Sequence, residues 1–259
     1  GTFQSVLLIK KYRPKLVVGF GGYTSIPTIL AAKILNIQTL IHEQNAVMGK
    51  TNRLLSKISN KTAISFDSTK YAKKDAIFTG VPIRVFKKKK IKKDKKRVLV
   101  LGGSQGAKIF SQIIPKVLIG IKQEYLKNLM IVQQTRKEDK TILESTYNKL
   151  NVKCTVKEFF DDVQNEIYNS DIVIARCGAS TLAEIEYCKK FSILFPLPTA
   201  MDDHQLENAK QFKKKNNCQI YNQNNIPYSK FGELLKSQLF YKKEIKTNLQ
   251  ESKKISLIK

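Results

Sequence analysis

Short apolar runs, each closed by small or polar residues and followed by a stretch of helical spacing, recur along the chain. Strands are predicted at residues 16–20, 38–41, 62–66 and 76–78, and again at 98–101, 130–134, 152–156, 172–175, 191–195 and 219–221. Between them, helical periodicity appears at 26–35, 50–59, 108–121, 138–150, a short piece ending at Tyr168, a helix carrying Glu184, one opening at Asp202, and 228–239. The runs are rich in Val, Ile and Leu without strict alternation, as in parallel strands covered on both faces. The repeated β-α order predicts an α/β protein made of two Rossmann-like, doubly wound lobes. An amphipathic helix opens the chain, with Phe3, Val6, Leu7 and Lys10 on its expected inner face.

The two lobes meet at a stretch of different character. Gly80-Val81-Pro82-Ile83-Arg84 stops a strand and presents one Arg; residues 87–97 are then almost all Lys, with no apolar period. Such a run reads as a solvated, flexible boundary, with contact to an anionic membrane as the minor alternative. The division expected is a first lobe at 1–84, a linker at 85–97, a second lobe at 98–226, and a helix with a tail at 227–259.

The formal charge of +26 changes the picture less than its size suggests, because only six of the 47 basic residues are Arg. Readout of bases and phosphates by bidentate forks favours Arg, and the aromatic residues sit inside apolar runs, so nucleic acid is not an expected partner. A cationic surface is still drawn to anionic lipid head groups. Cys154, Cys177, Cys188 and Cys218 form no C-x-x-C pair, and free thiols are expected. No apolar run reaches the roughly 18 residues that a spanning helix needs, so any membrane contact is expected to be peripheral.

Candidate chemistry gathers where predicted strands end. Gly-rich turns follow strands at 19–22 and at Gly102-Gly103-Ser104-Gln105-Gly106-Ala107, where a phosphate or sugar can approach the backbone. Neither is a complete dinucleotide or P-loop motif, and a tight turn without a ligand is the alternative. From residue 172 to 208, two strands end side by side, each followed by a helix with a polar start. That crevice suits an anion. Glu184 could accept the hydroxyls of a ribose or serve only as a helix charge. Arg176 could bind or act as a structural tie. His204 and Gln205 could donate to a diphosphate or sugar, or only cap a helix. His42, beside Glu43 and Asn45, could orient a hydroxyl or take a proton, or be a satisfied structural histidine. His42-Glu43 is half a zincin pattern, with Ala46 where the second His would stand, and no acidic metal cluster appears.

Five motifs in order, Gly21-Gly22-Tyr23-Thr24-Ser25-Ile26-Pro27, His42-Glu43-Gln44-Asn45, Gly80 to Arg84, Gly102 to Ala107 and the block from Gly178 to Asn208, resemble the MurG-type N-acetylglucosaminyltransferases of bacterial cell-wall synthesis. The resemblance implies a glycosyltransferase B fold. It further implies inverting transfer of N-acetylglucosamine from UDP-GlcNAc to muramyl-pentapeptide on undecaprenyl diphosphate, without metal or other cofactor, at the cytoplasmic face of the inner membrane. Carried over by position, Ser104 and Gln105 meet the diphosphate, the backbone of Phe160 meets the uracil, and Glu184 holds the ribose. Arg84 reaches the nucleotide from the hinge, and His204 and Gln205 contact sugar and phosphates. Asn45, with His42 and Glu43 as candidate catalytic residues, faces the donor sugar from the first lobe.

The family opens with a Gly-x-Gly-Gly-His loop, often taken to carry the catalytic base, which has no counterpart in this sequence. Its first lobe is therefore expected to be incomplete, by about three βα units at roughly 30 residues each. A piece of a longer product, or a UDP-sugar-binding subunit completed by another chain, are the two expectations that follow.

Overall fold

The computed structural model describes residues 1–84, 86–103 and 108–241. The first lobe is a parallel sheet in the order β1 (Leu16–Gly19), β2 (Gln38–Glu43), β3 (Lys61–Ile64) and β4 (Ile77–Phe78). Helices α1 (Thr2–Tyr12), α2 (Ser25–Ile34) and α3 (Lys50–Ser56) complete it. Its core joins Ile9, Val17, Ile29, Ile41 and Leu55, all buried. The expected inner face of α1 is corrected by this packing: Ile9 and Val6 point inward, whereas Phe3 and Leu7 are exposed. α1 rests mainly on α2. A helix with one neighbour buries only a narrow stripe, and apolar spacing alone does not select which one.

The second lobe contains β5 (Lys96–Leu101), α4 (Lys108–Ile119), α5 (Gln123–Leu126), β6 (Leu129–Gln134), α6 (Lys137–Lys149), β7 (Lys153–Lys157) and α7 (Val163–Tyr168). β8 (Ile172–Ala175), α8 (Ala179–Tyr187), β9 (Phe191–Leu194), a 3-10 turn at Met201–Asp203, α9 (His204–Lys215), β10 (Cys218–Ile220) and α10 (Tyr228–Phe240) follow. All its strand pairs are parallel, in the order β10-β9-β8-β5-β6-β7. Val98 and Val100 enter the core on one face of the sheet and Leu99 and Leu101 that on the other, so the unbroken apolar run follows from burial on both sides. Strand order reverses direction between β5 and β8, and the crevice outside their C-terminal ends is where a doubly wound sheet takes its ligand.

Two expected boundaries are revised. Phe231, Leu235 and Leu239 of α10 belong to the second lobe's core, so this helix is part of the lobe; residues 242–259 lie outside the described residues. The Lys-rich stretch is not a free linker either. Asn165 receives the Lys89 N–H at 2.9 Å and donates to the Lys87 carbonyl at 3.1 Å. One turn on, Asn169 receives the Ile91 N–H at 3.2 Å and donates to the Lys89 carbonyl at 2.8 Å. Side-chain amides four residues apart, on α7 and at its C-cap, thus strap the backbone down while the lysine side chains remain in water.

The lobes also touch directly. Phe66, just beyond β3, packs on the second lobe's core. Arg53 pairs with Asp202 at 2.8 Å and Lys70 with Glu207 at 3.1 Å, and Asp67 pairs with Lys215. Exposed pairs of this kind contribute at most about 1 kcal/mol each, so they set orientation more than stability. All four cysteines are free, with Cys177 and Cys218 buried.

Candidate functional site

The site forms around the N-terminus of α8. Gly178 is its N-cap, in extended conformation, and no side chain caps the helix, which leaves first-turn N–H groups for an anion. Gly103, at the end of β5, has a φ of 83°, a left-handed conformation that glycine adopts without strain. Ser104 and Gln105, the expected diphosphate contacts, lie outside the described residues.

α9 holds the mouth of α8 from one side. The side-chain oxygen of Gln205 accepts from the N–H of Cys177 at 3.2 Å and from that of Leu197 at 3.1 Å, so Gln205 ties together the loops after β8 and β9. Its amide N–H groups make no hydrogen bond among the described residues and are free to donate to a ligand. His204 donates Nδ1–H to the Met201 carbonyl at 2.8 Å, which leaves Nε2 as the free nitrogen. Just before it, Asp202 and Asp203 both have a φ of 52°, a strained pair at the lip of the crevice.

Glu184 lies farther along the same helix. It is the sixth residue of α8, about 9 Å from Gly178 at 1.5 Å per residue, and accepts from Gln164 of α7 at 3.1 Å. Burial pushes its carboxyl above the usual glutamate range, with the Gln164 bond opposing that shift. A helix-dipole charge belongs in the first turn and has its pKa lowered, so the reading of Glu184 as a mere helix charge does not fit. A half-buried carboxylate held by one amide, with acceptor capacity left over, suits a ligand that brings hydroxyl donors.

The other candidates lie around the second lobe's sheet ends and the hinge. Asp162 caps α7 by accepting from the Asn165 N–H at 3.2 Å. Arg84 is exposed and close enough to help hold the Asp162 carboxyl below its ordinary value, after the Asn165 bonds and Lys89. The ring of Phe160 is buried in the core, which leaves only its backbone for a ligand, while Phe159 is exposed. Arg176 proves to be a structural tie. It donates to the carbonyls of Phe195 and Pro196 at 3.1 and 3.3 Å and to Gln223 at 2.7 Å, and lies over the Phe110 ring.

Across the crevice, His42 and Glu43 belong to β2 itself, not to a loop beyond it. His42 Nε2 lies 3.1 Å from the Gly80 carbonyl and Nδ1 lies 3.1 Å from the Gln44 amide nitrogen, so Nε2–H donates and Nδ1 accepts. Glu43 accepts from the N–H of Asn45, the Asn45 side chain, the N–H of Gly49 and the Asn52 side chain at 2.8 to 3.2 Å. Both residues are buried and internally satisfied, so the expectation of a catalytic pair gives way to a positioning part. They shape the loop that carries Asn45. Asn45 is brought to the α8 mouth by Asn208, whose importance the sequence reading missed. Its sequence signal was a polar side chain on the inward stripe of α9, one turn before buried Phe212. Among the described residues, no cluster of three or more His, Cys, Asp or Glu could hold a metal ion.

With that geometry established, known proteins show the same assembly. Residues 97–259 match the glycosyltransferase family 28 C-terminal domain, and residues 1–64 match the corresponding N-terminal domain. The UDP-N-acetylglucosamine--N-acetylmuramyl-(pentapeptide) pyrophosphoryl-undecaprenol N-acetylglucosamine transferase of Wolbachia sp. subsp. Brugia malayi is 36% identical over 252 residues, covering 96% of this chain and 73% of that relative. The protein of the same name from Rickettsia bellii is 36% identical over 245 residues, or 89% of this chain and 68% of the relative. The crystal structure of Acinetobacter baumannii MurG superposes with a TM-score of 0.76 at 29% identity, covering 92% of this chain and 69% of that one. Two parallel α/β lobes, a ligand crevice at the β5/β8 reversal and these likenesses agree: the chain belongs to the MurG-type transferases of glycosyltransferase family 28.

Proposed function

We propose that this chain carries the donor site of a UDP-N-acetylglucosamine:N-acetylmuramyl-(pentapeptide) pyrophosphoryl-undecaprenol N-acetylglucosamine transferase. The observation that carries the reading is α8. Its free N-terminus faces the Gly-lined end of β5, and Glu184 stands two turns further in, the separation over which a nucleoside diphosphate extends from phosphate to ribose. Uracil then lies along the Phe160 backbone beside Arg84, and the ribose hydroxyls donate to Glu184. The diphosphate meets the α8 N–H groups, with Ser104 and Gln105 as further donors. The sugar extends past His204 and Gln205 toward Asn45.

In the reaction, a hydroxyl oxygen of the muramyl acceptor attacks the anomeric carbon of the donor. The bond to the phosphate oxygen breaks, configuration inverts, UDP departs with that bond's electron pair, and the acceptor's hydroxyl proton passes to water. Charge growing on the leaving diphosphate is stabilised by fixed N–H dipoles already aimed at it. His42 and Glu43 hold the Asn45 loop in shape during this step.

UDP or UDP-GlcNAc is expected to raise the melting temperature of the chain by about 3–5 °C at tenfold excess over Kd. A folded sample that shows no shift at millimolar ligand sinks the reading.

We also propose a peripheral attachment to the cytoplasmic face of the bacterial inner membrane, where a lipid-linked acceptor is met. It is supported by the charge of +26 and by α1, which exposes Phe3, Leu7, Leu8 and Tyr12 beside Lys10 and Lys11. No helix among the described residues is long and apolar enough to cross a membrane. Vesicles rich in phosphatidylglycerol are expected to sediment the protein at low salt and to release it in part as salt rises. Equal retention on purely zwitterionic vesicles argues against the electrostatic part of the proposal.

A further inference from the structure

Asn208 is fully buried on α9, yet all its side-chain hydrogen bonds reach other elements. Its side-chain oxygen accepts from the Ala46 N–H of the first lobe at 2.7 Å. Its amide nitrogen donates to Asn45 Oδ1 and to the Cys177 carbonyl, both at 3.0 Å. A single amide therefore touches the loop that faces the sugar and the residue preceding the N-cap of the anion-binding helix, two places 162 and 31 positions away in sequence. The assignment of oxygen and nitrogen is forced, since a backbone N–H needs an acceptor and a carbonyl needs a donor.

The same logic passes to Asn45. Its oxygen is held by Asn208 and its nitrogen by Glu43, which as a carboxylate can only accept. The amide cannot turn over without setting its oxygen against the Glu43 carboxylate and its N–H groups against those of Asn208. One hydrogen on Nδ2 and one lone pair on Oδ1 remain, in a fixed order, for a ligand in the crevice. We infer that Asn208 is a positioning residue for the donor sugar, joining the α8 mouth to the Asn45 loop and fixing which end of the Asn45 amide the sugar meets. The inference rests on the donor reading above.

Asp at position 208 keeps the acceptor for Ala46 but loses both donated bonds and places a carboxylate against two oxygens. UDP lacks the sugar and UDP-GlcNAc has it, so titrating each into the full chain by calorimetry isolates the effect. Asn208→Asp is expected to weaken UDP-GlcNAc about tenfold more than UDP, a difference of about 1.4 kcal/mol. Asn45→Ala, which leaves the other two bonds of Asn208 in place, is expected to give the same ratio, and the double variant to add nothing further. Equal weakening of both ligands by Asn208→Asp, or an unchanged ratio in Asn45→Ala, overturns the inference. The second variant decides the matter if the first does not fold. A wild-type chain that binds UDP but gains nothing from the sugar also overturns it, whereas one that binds neither ligand removes the donor reading and this inference together.

Discussion

Replacing Glu184 by Ala is expected to weaken UDP-GlcNAc binding by about 2 kcal/mol, or about 30-fold, the worth of hydrogen bonds to an ionised group in a partly dry site. Stability should change much less, because the carboxylate makes one hydrogen bond, to Gln164, and is held above its ordinary pKa by burial. The sign of the pH dependence follows from that shift. A carboxyl whose folded pKa exceeds its unfolded value near 4.5 favours folding while protonated, and that contribution is lost as pH rises through the folded pKa. Ligand affinity runs the other way. Ribose hydroxyls donate to the carboxylate, so affinity should fall as pH drops through the same raised value. UDP-GlcNAc suits the test because its diphosphate, esterified at both ends, takes up no proton in that range. Glu184→Gln should flatten both profiles. Calorimetric titration and thermal melts of the same samples separate the effects; a Glu184→Ala variant that loses stability and affinity in equal measure would show that Glu184 is only a structural group.

Phe195→Ala is expected to destabilise the protein by about 3–5 kcal/mol, a large part of the typical stability of a folded domain. Phe195 is fully buried just beyond β9, with its ring centroid 5.5 Å from Phe110 and 5.8 Å from both Tyr221 and Phe231. Its neighbours come from α4, from beyond β10 and from α10, so they cannot close on the vacated volume without moving three elements. Denaturant unfolding should show a lower midpoint with an unchanged slope. A loss below about 1.5 kcal/mol would mean that the cluster relaxes freely, contrary to its packing.

Most of what lies within one βα unit could be read directly. The strands at 98–101 and 172–175 and the glycines that turn the chain after β5 and before α8 were all legible. Glu184 stood out as an acidic residue on the helix after a small-residue turn, although Glu186 shares that helix. Errors arose where a residue's partner is distant. The Lys-rich stretch looked unstructured because its side chains are solvated, yet its backbone is held by Asn165 and Asn169, 76 to 80 positions later. His42 and Glu43 carry the residue types of proton transfer, but Gly80 and the Asn45 loop occupy their polar atoms.

By itself, the sequence determined the alternation of strands and helices, the two lobes, and the crevice where strand ends meet helix starts. Those features depend on apolar period and on the backbone freedom of small residues, which neighbouring positions specify. Tertiary structure alone decided which polar groups stay free for a ligand. A hydrogen bond is set by distances of about 3 Å between groups that folding brings together, and the bond from Ala46 to Asn208 spans 162 positions that no local pattern connects.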